Sequence, residues 1–308
     1  MTSAALRNLM KALEYISGLD KYPLYADMSE FCNPGGFEAL DRARETFYRD
    51  EVSRKIFDWF CRYRIIMEAY GSSLPVELED APISKRAWAD LEARAKAMPD
   101  QDHVAGDYLL DRIDVWLLEA YAHPPFCVAG EGDIVLDCGA FTGNSSLYFS
   151  RKVGPGGRVY GFEPVPEIYE RYAANMRGLD NVVPVNGAVN DREGVLSFSE
   201  SGAASREKKD GRLKVYGLSI DGFFEKQGLE RVDFIKMDVE GAEEKALRGA
   251  REVIRKCRPR MAISVYHNEY DILTIPTLIR TICADYLFAL GHFSTNHNET
   301  VLYCYPEK

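Results

Sequence analysis

The segment that most constrains this chain runs over residues 132–164 and reads GDIVLDCGAFTGNSSLYFSRKVGPGGRVYGFEP. Ile134-Val135-Leu136 is a short apolar run with β-branched members. The run Asp137-Cys138-Gly139-Ala140-Phe141-Thr142-Gly143 then makes a glycine-punctuated turn. A helix is expected over 145–150, Gly154-Pro155-Gly156-Gly157 breaks it, and a second apolar run ends on Glu163. Strand, helix and strand in this order predict a βαβ unit with a parallel pair. Ligands of such sheets bind outside the carboxyl ends of the strands.

Gly139 and Gly143 permit a tight turn and a close backbone approach to a ligand. The helix after them offers unpaired N–H groups and a positive dipole end. A dinucleotide fingerprint would read G-x-G-x-x-G; this turn reads G-A-F-T-G, with Asp137 ahead of it. Asp137 is a poor neighbour for a pyrophosphate and a good acceptor for a cationic amino group. Glu163, ending the next strand, can accept both hydroxyls of a ribose. The two acids together suit a nucleoside that carries an amino acid, the chemistry of S-adenosylmethionine. The competing reading is a structural turn, with Glu163 a solvated acid.

Further along, residues 232–237, 260–265, 286–293 and 300–305 read as strands, and 182–189 as a third strand carrying Asn186-Gly187-Ala188 at its end. Pro166 suits the first turn of a helix bearing Ile168, Tyr172 and Met176. The polar segment SESGAASREKKDGR lies between two strand-like runs and reads as an exposed hairpin tip. Asp221 is expected to cap the helix that starts beside it, and a helix over 242–256 turns Ala246, Leu247, Ala250, Val253 and Ile254 inward. The distinctive polar residues Asp137, Glu163, Asn186, Asp238, Glu240 and His267 all fall at carboxyl ends of strands, which share one rim of the sheet. Methyl transfer to oxygen is an in-line displacement, so positioning supplies much of the catalysis, and a hydroxyl acceptor must also lose a proton. His267 titrates near neutrality and is the first candidate base. Asp238 and Glu240 could orient the cofactor, bind the acceptor hydroxyl or serve as base in its place, and as two nearby acids could hold a divalent ion, though no metal is expected. Lys236 could reach the site or pair with Glu240.

Residues 1–125 read as helical. An amphipathic segment starts the chain, and a long apolar face over 37–70 includes Ile56, Trp59, Phe60, Tyr63, Met67 and Tyr70. Ser84 is expected to cap a helix with Trp88, Leu91, Ala95 and Met98 on one face. A fourth helix over 107–121 would place Leu110, Ile113, Leu117 and Tyr121 on one side, with His123-Pro124-Pro125 ending it. This part either shapes an acceptor pocket or a homodimer contact, or only packs on the sheet. Trp59 and Trp88 are expected in the core.

Five ordered stretches give the chain a family resemblance: residues 137–143, Phe162-Glu163-Pro164, residues 235–243, residues 262–267 and residues 299–303. In these it resembles the FkbM-type methyltransferases, class I S-adenosylmethionine-dependent enzymes. Members with known activity are mostly O-methyltransferases, and their acceptors are macrolide or sugar hydroxyls and sometimes carboxyl groups. The resemblance covers about residues 130–305. It implies a seven-stranded, mostly parallel Rossmann-like α/β sheet with an antiparallel last strand over 126–308, preceded by the helical part over 1–125. Gly291-His292-Phe293 departs from the Arg-His-Tyr form common in the family. The cofactor contacts this implies are Asp137, Gly139, Ala140, Phe141, Thr142, Gly143, Asn144 and Ser145 on the turn and helix start. Glu163, Pro164, Asn186, Gly187, Ala188 and Asp238 complete the set.

Composition bounds the rest. The 308 residues carry a net charge of −10, which disfavours broad attraction to nucleic acid or an anionic membrane. The sequence shows neither a long apolar run nor a signal-type start, so a cytoplasmic location is expected. Seven scattered cysteines suggest neither a disulfide framework nor a zinc site. The reading is an S-adenosylmethionine-dependent O-methyltransferase, with S-adenosylhomocysteine as product, acting on a hydroxyl of a small metabolite or sugar. A non-enzymatic binding module on the same fold is the alternative. An NAD(P)-dependent oxidoreductase fits less well, since the chain lacks both the dinucleotide fingerprint and a helical Tyr-x-x-x-Lys pair.

Overall fold

The computed structural model describes residues 34–70, 80–99, 103–105, 107–199, 207–208, 210–268 and 270–307. The amphipathic start, most of the polar tip after Ser199, and the side chains of Met67 and Tyr70 lie outside the described residues. Ten strands form, β1 (Ile134–Cys138), β2 (Arg158–Glu163), β3 (Val182–Asn186), β4 (Ala188–Val189), β5 (Gly194–Phe198), β6 (Leu213–Leu218), β7 (Phe234–Met237), β8 (Arg260–Ser264), β9 (Tyr286–His292) and β10 (Thr300–Pro306). Seven of them make one sheet in the order β3-β2-β1-β7-β8-β10-β9, and only β10 runs against its neighbours. The chain leaves β1 toward β2 and β3, then returns to build β7 and β8 on the other side of β1. The strand order therefore reverses between β1 and β7, and a crevice opens at such a point. The central strands read as unbroken apolar runs because helices cover both faces: Val135, Leu136, Phe234, Ile235, Met261 and Ile263 are all buried.

The expected third strand is two strands. Gly187 turns the chain out of the main sheet, and Ala188–Val189 pairs with β6 in a second sheet of order β4-β6-β5. A Cβ on Gly187 would meet Leu218 at 2.7 Å, so the bend lies directly on β6. The two strand-like runs flanking the polar tip do pair, antiparallel, as β5 and β6.

The long helical face is also two helices, α1 (Pro34–Phe47) and α2 (Glu51–Tyr70). The break is chemical: the Asp50 side chain accepts the Ser53 N–H at 2.7 Å, an N-terminal cap that starts a new helix. Ser53 accepts the Leu290 N–H at 2.8 Å, so α2 covers the outer edge of β9, an edge that would otherwise invite pairing with another chain. Trp59 is buried against His292 with ring centres 4.4 Å apart. Ser84 caps α3 (Lys85–Lys96) as expected, through the Ala87 N–H, and Leu91 and Ala95 are buried while Trp88 is half-buried.

The fourth helix departs most from its expectation. One α turn, α4 (Leu109–Asp111), continues as a π-helix over Arg112–Leu117. The wider turn breaks the single apolar face: Ile113 and Tyr121 are buried, whereas Leu110 is 40% exposed. After the sheet begins, α5 (Asn144–Val153) and α6 (Pro166–Asn175) follow β1 and β2. The cap of α7 (Ile220–Lys226) is Ser219, whose Oγ accepts from Gly222. Asp221 instead accepts the N–H groups of Glu252 and Val253, at 3.1 and 2.9 Å. It thus caps a separate helix, because Gly249 and Ala250 split the expected 242–256 helix into α8 (Glu243–Arg248) and α9 (Arg251–Cys257). The last helix is α10 (Asp271–Ile282). Among the described residues no helix is long and apolar enough to cross a membrane.

Replacing Asp221 by Ala removes a cap with two acceptor contacts and should cost about 1 kcal/mol. Urea unfolding would show a lower midpoint at unchanged slope; an unchanged midpoint would contradict this assignment.

Candidate functional site

A cavity of about 360 Å³ opens at the carboxyl ends of β1, β2 and β7, at the point where the strand order reverses. Its floor is the turn after β1. Gly139 has φ +85°, and a Cβ there would lie 1.8 Å from the Asp238 carbonyl oxygen, so only glycine lets this turn cross the loop after β7. Phe141 adopts φ 50° and stacks on Tyr108, with ring centres 5.6 Å apart. Gly143, at φ +104°, carries the chain into α5. Three of the five non-glycine residues with positive φ among those described, Phe141, Glu240 and Glu299, line this cavity. Such backbone conformations cost free energy and concentrate at functional sites.

The structure brings most expected residues to the cavity wall. Gly139, Ala140, Phe141 and Thr142 line it with Asn144 and Ser145. Glu163, Pro164, Gly187 and Ala188 form the side under β2 and β3, and Lys236, Asp238 and Glu240 form the side under β7. Glu163 is 5% exposed, and its Oε1 accepts the Val165 N–H at 2.8 Å. Burial pushes its carboxyl up to about 7, against hydrogen bonds from the Val165 and Phe141 backbone.

Four expected residues are elsewhere. Asp137 is fully buried behind the turn. The hydroxyls of Ser145 and Ser146 donate to its Oδ2 at 2.8 and 2.6 Å, and the Lys236 ammonium lies 3.3 Å from its Oδ1. Its carboxylate therefore organises the turn from behind the cavity wall. Gly143 lies against Tyr172 and Met176, where a Cβ would come within 2.8 and 2.6 Å of them. Asn186 points outward, its amide donating to the Glu163 carbonyl at 2.9 Å. His267 stands one layer behind the wall. His292, in the stretch that departs from the family form, is buried against Trp59 and bonded to Thr300 Oγ1 at 2.8 Å; burial lowers it to about 4, so it is neutral.

The wall under β7 is an ionic network. Lys236 is 2% exposed and pairs with Asp137 instead of Glu240, while donating to the Gly139 carbonyl at 2.5 Å. Burial disfavours its charge, but the carboxylates of Asp137 and Asp238 more than restore it. Asp238 accepts the Tyr121 hydroxyl at 3.0 Å. Burial pushes its carboxyl up, and the charges of Lys236 and His267 overcome that and hold it below the ordinary range. His267 Nδ1 bonds Glu243 Oε1 at 2.8 Å, and its Nε2 lies 3.4 Å from Asp238 and 3.8 Å from Glu240. Burial works against the imidazolium, yet the bond to Glu243 and the three carboxylates raise it to about 10. Its proton is thus held at neutral pH, which does not suit a resting base. Asp238, Glu243 and His267 also present ligand atoms within 4.8 Å of one another, a set that could hold a divalent ion once the imidazolium gives up its proton.

Several wall residues went unassigned in the sequence. Asp111 and Asp114 sit on the α-to-π turn, with Tyr121 just beyond, and Tyr266 and Glu299 approach from β8 and the β9–β10 loop. The signal for the first pair was two acids three positions apart on the buried side of an apolar helix. Glu299 opens one of the five stretches that carry the family resemblance.

Sheet order and cavity define an α/β fold with its ligand site at the switch point, and the sequence matches the Methyltransferase FkbM domain over residues 137–290. The chain belongs to that family. It is 28% identical over 147 residues to the 2-O-methyltransferase NoeI of Sinorhizobium fredii, covering 41% of this chain and 60% of that protein. It is 28% identical over 126 residues to the hexuronic acid methyltransferase AglP of Haloferax volcanii, covering 39% and 51%. The chain thus spans between half and two thirds of the curated relatives it matches. A solved FkbM methyltransferase of Methylobacillus flagellatus superposes with TM-score 0.48 at 21% identity, over 82% of this chain and 70% of that one.

The imidazolium has a measurable signature. Below pH about 6.5 both folded and unfolded His267 are protonated and its contribution to stability is complete; that contribution is lost as pH rises toward about 10. The melting temperature of the unaltered protein should therefore fall toward that of His267→Gln between pH 6.5 and 10. Parallel profiles would show that His267 is not charged in the fold.

Proposed function

We propose that this chain is an S-adenosylmethionine-dependent O-methyltransferase acting on a hydroxyl of a sugar or related small metabolite. The observation that carries it is one cavity, at the switch point, walled by the glycine turn and Glu163 on one side and by the Asp238 network on the other. The residues fit the cofactor. The left-handed turn leaves its backbone open to a ligand, and the Glu163 carboxyl lines the cavity beside it, where it could accept from a ribose hydroxyl. The names of the two relatives support transfer to a sugar.

When bound, the cofactor supplies an activated methyl on a sulfonium. Glu163 and the turn from Gly139 to Ser145 hold the nucleoside and amino-acid parts. Asp137 and Lys236 act from behind by fixing the turn against β7. Asp238 and Glu240 face the acceptor, and His267 orients Asp238 as a cation instead of removing a proton. Holding the acceptor oxygen in line with the methyl supplies most of the rate. The helical part before the sheet contributes the acceptor wall through Asp111, Asp114 and Tyr121. We also propose that turnover needs no metal, because the His267 imidazolium already lies between Asp238 and Glu243, where the ion would sit.

Calorimetry with S-adenosylmethionine, S-adenosylhomocysteine and NAD, each with and without EDTA, tests the reading. Both adenosyl ligands should bind, NAD should not, and EDTA should change neither affinity nor turnover. Glu163→Ala should weaken S-adenosylhomocysteine by about 10- to 100-fold, the loss expected for hydrogen bonds to a charged group. Binding of none of the three would favour the non-enzymatic module, and binding of NAD would overturn the cofactor. Loss of turnover in EDTA would move the Asp238, Glu243 and His267 set to a metal role.

A further inference from the structure

The acceptor end of the cavity has a charge pattern that the methyl-transfer reading does not require. Six carboxyl groups line the cavity, those of Asp111, Asp114, Glu163, Asp238, Glu240 and Glu299. Lys236 is the one Lys, Arg or His side chain on the wall among the described residues, and its ammonium is committed to Asp137 and the Gly139 carbonyl. Asp114 is the sharper observation. It is 5% exposed, and its Oδ1 has no hydrogen-bond partner among the described residues. The π-helical turn over Arg112–Leu117 puts it there, a distortion that recurs at functional sites. Glu299 faces the same space from the β9–β10 loop, held in a left-handed conformation, and its carboxyl accepts a long 3.3 Å contact from the Tyr266 hydroxyl.

We propose that Asp114 and Glu299 form an acceptor-selecting pair that takes a hydrogen-bond-donating sugar, neutral or aminated, and rejects one bearing a carboxylate. The inference rests on the methyl-transfer reading and narrows its acceptor. A buried acceptor oxygen without a partner is costly, and a hydroxyl or ammonium donor satisfies it. A carboxylate on the sugar would enter a wall of six carboxyl groups with no uncommitted cation to receive it. An ammonium gains from the same field. This separates the chain from its hexuronic acid relative in substrate even though the two share a domain. Asp114 lies outside the matched segment, on the helical part.

The test uses the full chain saturated with S-adenosylhomocysteine and three probes: methyl glucoside, its 2-amino analogue, altered at carbon 2, and its uronic acid, altered at carbon 6. Affinity is read by calorimetry, and methyl transfer by product mass with S-adenosylmethionine in place of the homocysteine. The uronic acid should bind at least about tenfold more weakly than the other two, about one power of ten in Kd. Asp114→Asn and Glu299→Gln should each weaken the amino analogue by a similar factor and shrink the penalty on the uronic acid, with the affinity for S-adenosylhomocysteine unchanged. Equal affinity for the three probes, or preference for the uronic acid, overturns the proposal, and neither result depends on a variant folding. Variants that lose S-adenosylhomocysteine instead of sugar would overturn it too, placing the pair on the cofactor. Failure of the unaltered protein to bind S-adenosylhomocysteine would remove the methyl-transfer reading itself.

Discussion

The site depends on one buried cation. Lys236 lies at the end of β7, within reach of Asp137 at the end of β1, and its ammonium also holds the Gly139 carbonyl and lies 5.1 Å from the centre of the Tyr121 ring. Removing either member of such a pair leaves an uncompensated charge in the interior, a cost of about 3–5 kcal/mol. The pair therefore fixes the spacing between the two strands where the strand order reverses. The crossing of the glycine turn over the Asp238 backbone follows from it, since that crossing leaves no room for a Cβ at Gly139. Tyr121 ties the segment before the sheet into the same knot through its hydroxyl on Asp238. The ends of β1 and β7 and the π-helical segment meet at this ammonium, and the cavity is the space left around it.

Much of this was legible in the sequence because its causes are local. Glycine at 139 and 143, apolar runs ending on acids, and Pro166 at a helix start each act within a few residues of themselves, and the sheet followed from them. The misses have causes that are not local. Asp221 looks like a cap for the helix beside it, yet the N–H groups it accepts belong to a helix thirty residues on. The segment over 107–121 has the spacing of an ordinary helix, and only its packing against the cavity opens a π turn that moves Leu110 outward and Asp114 inward. Asp137 stands at the expected strand end, but the direction of a side chain at that point depends on which neighbour holds it. Ser145, Ser146 and Lys236 hold it on the inner side.

His267 shows how context alters an assignment made from residue type. A histidine at a strand end in a catalytic rim reads as a base because its ordinary pKa is near neutral. Here Glu243 on α8, Asp238 after β7 and Glu240 beyond it surround the ring, and none is adjacent to it in the chain. The same side chain becomes a fixed positive charge that keeps Asp238 ionised. The sequence put it just past the end of its strand and could not show how many acids converge on it.

For the proposed reaction the crowding of carboxyls has a consequence for proton balance. A cationic donor and a neutral hydroxyl give two neutral products, so one proton must leave the acceptor oxygen. A carboxyl of ordinary pKa surrounded by water would hold that proton poorly. Glu299 is different: burial and the nearby Asp238 raise it to about 8, so its unprotonated form, the minority at neutral pH, binds a proton more firmly than an ordinary carboxylate. Asp238, kept ionised by Lys236 and His267, cannot serve the same end. The two acids thus have opposite proton affinities within one cavity, a division of roles common where acid–base chemistry is carried out. What sets them apart is the number of cations within reach, two for Asp238 against His267 alone for Glu299.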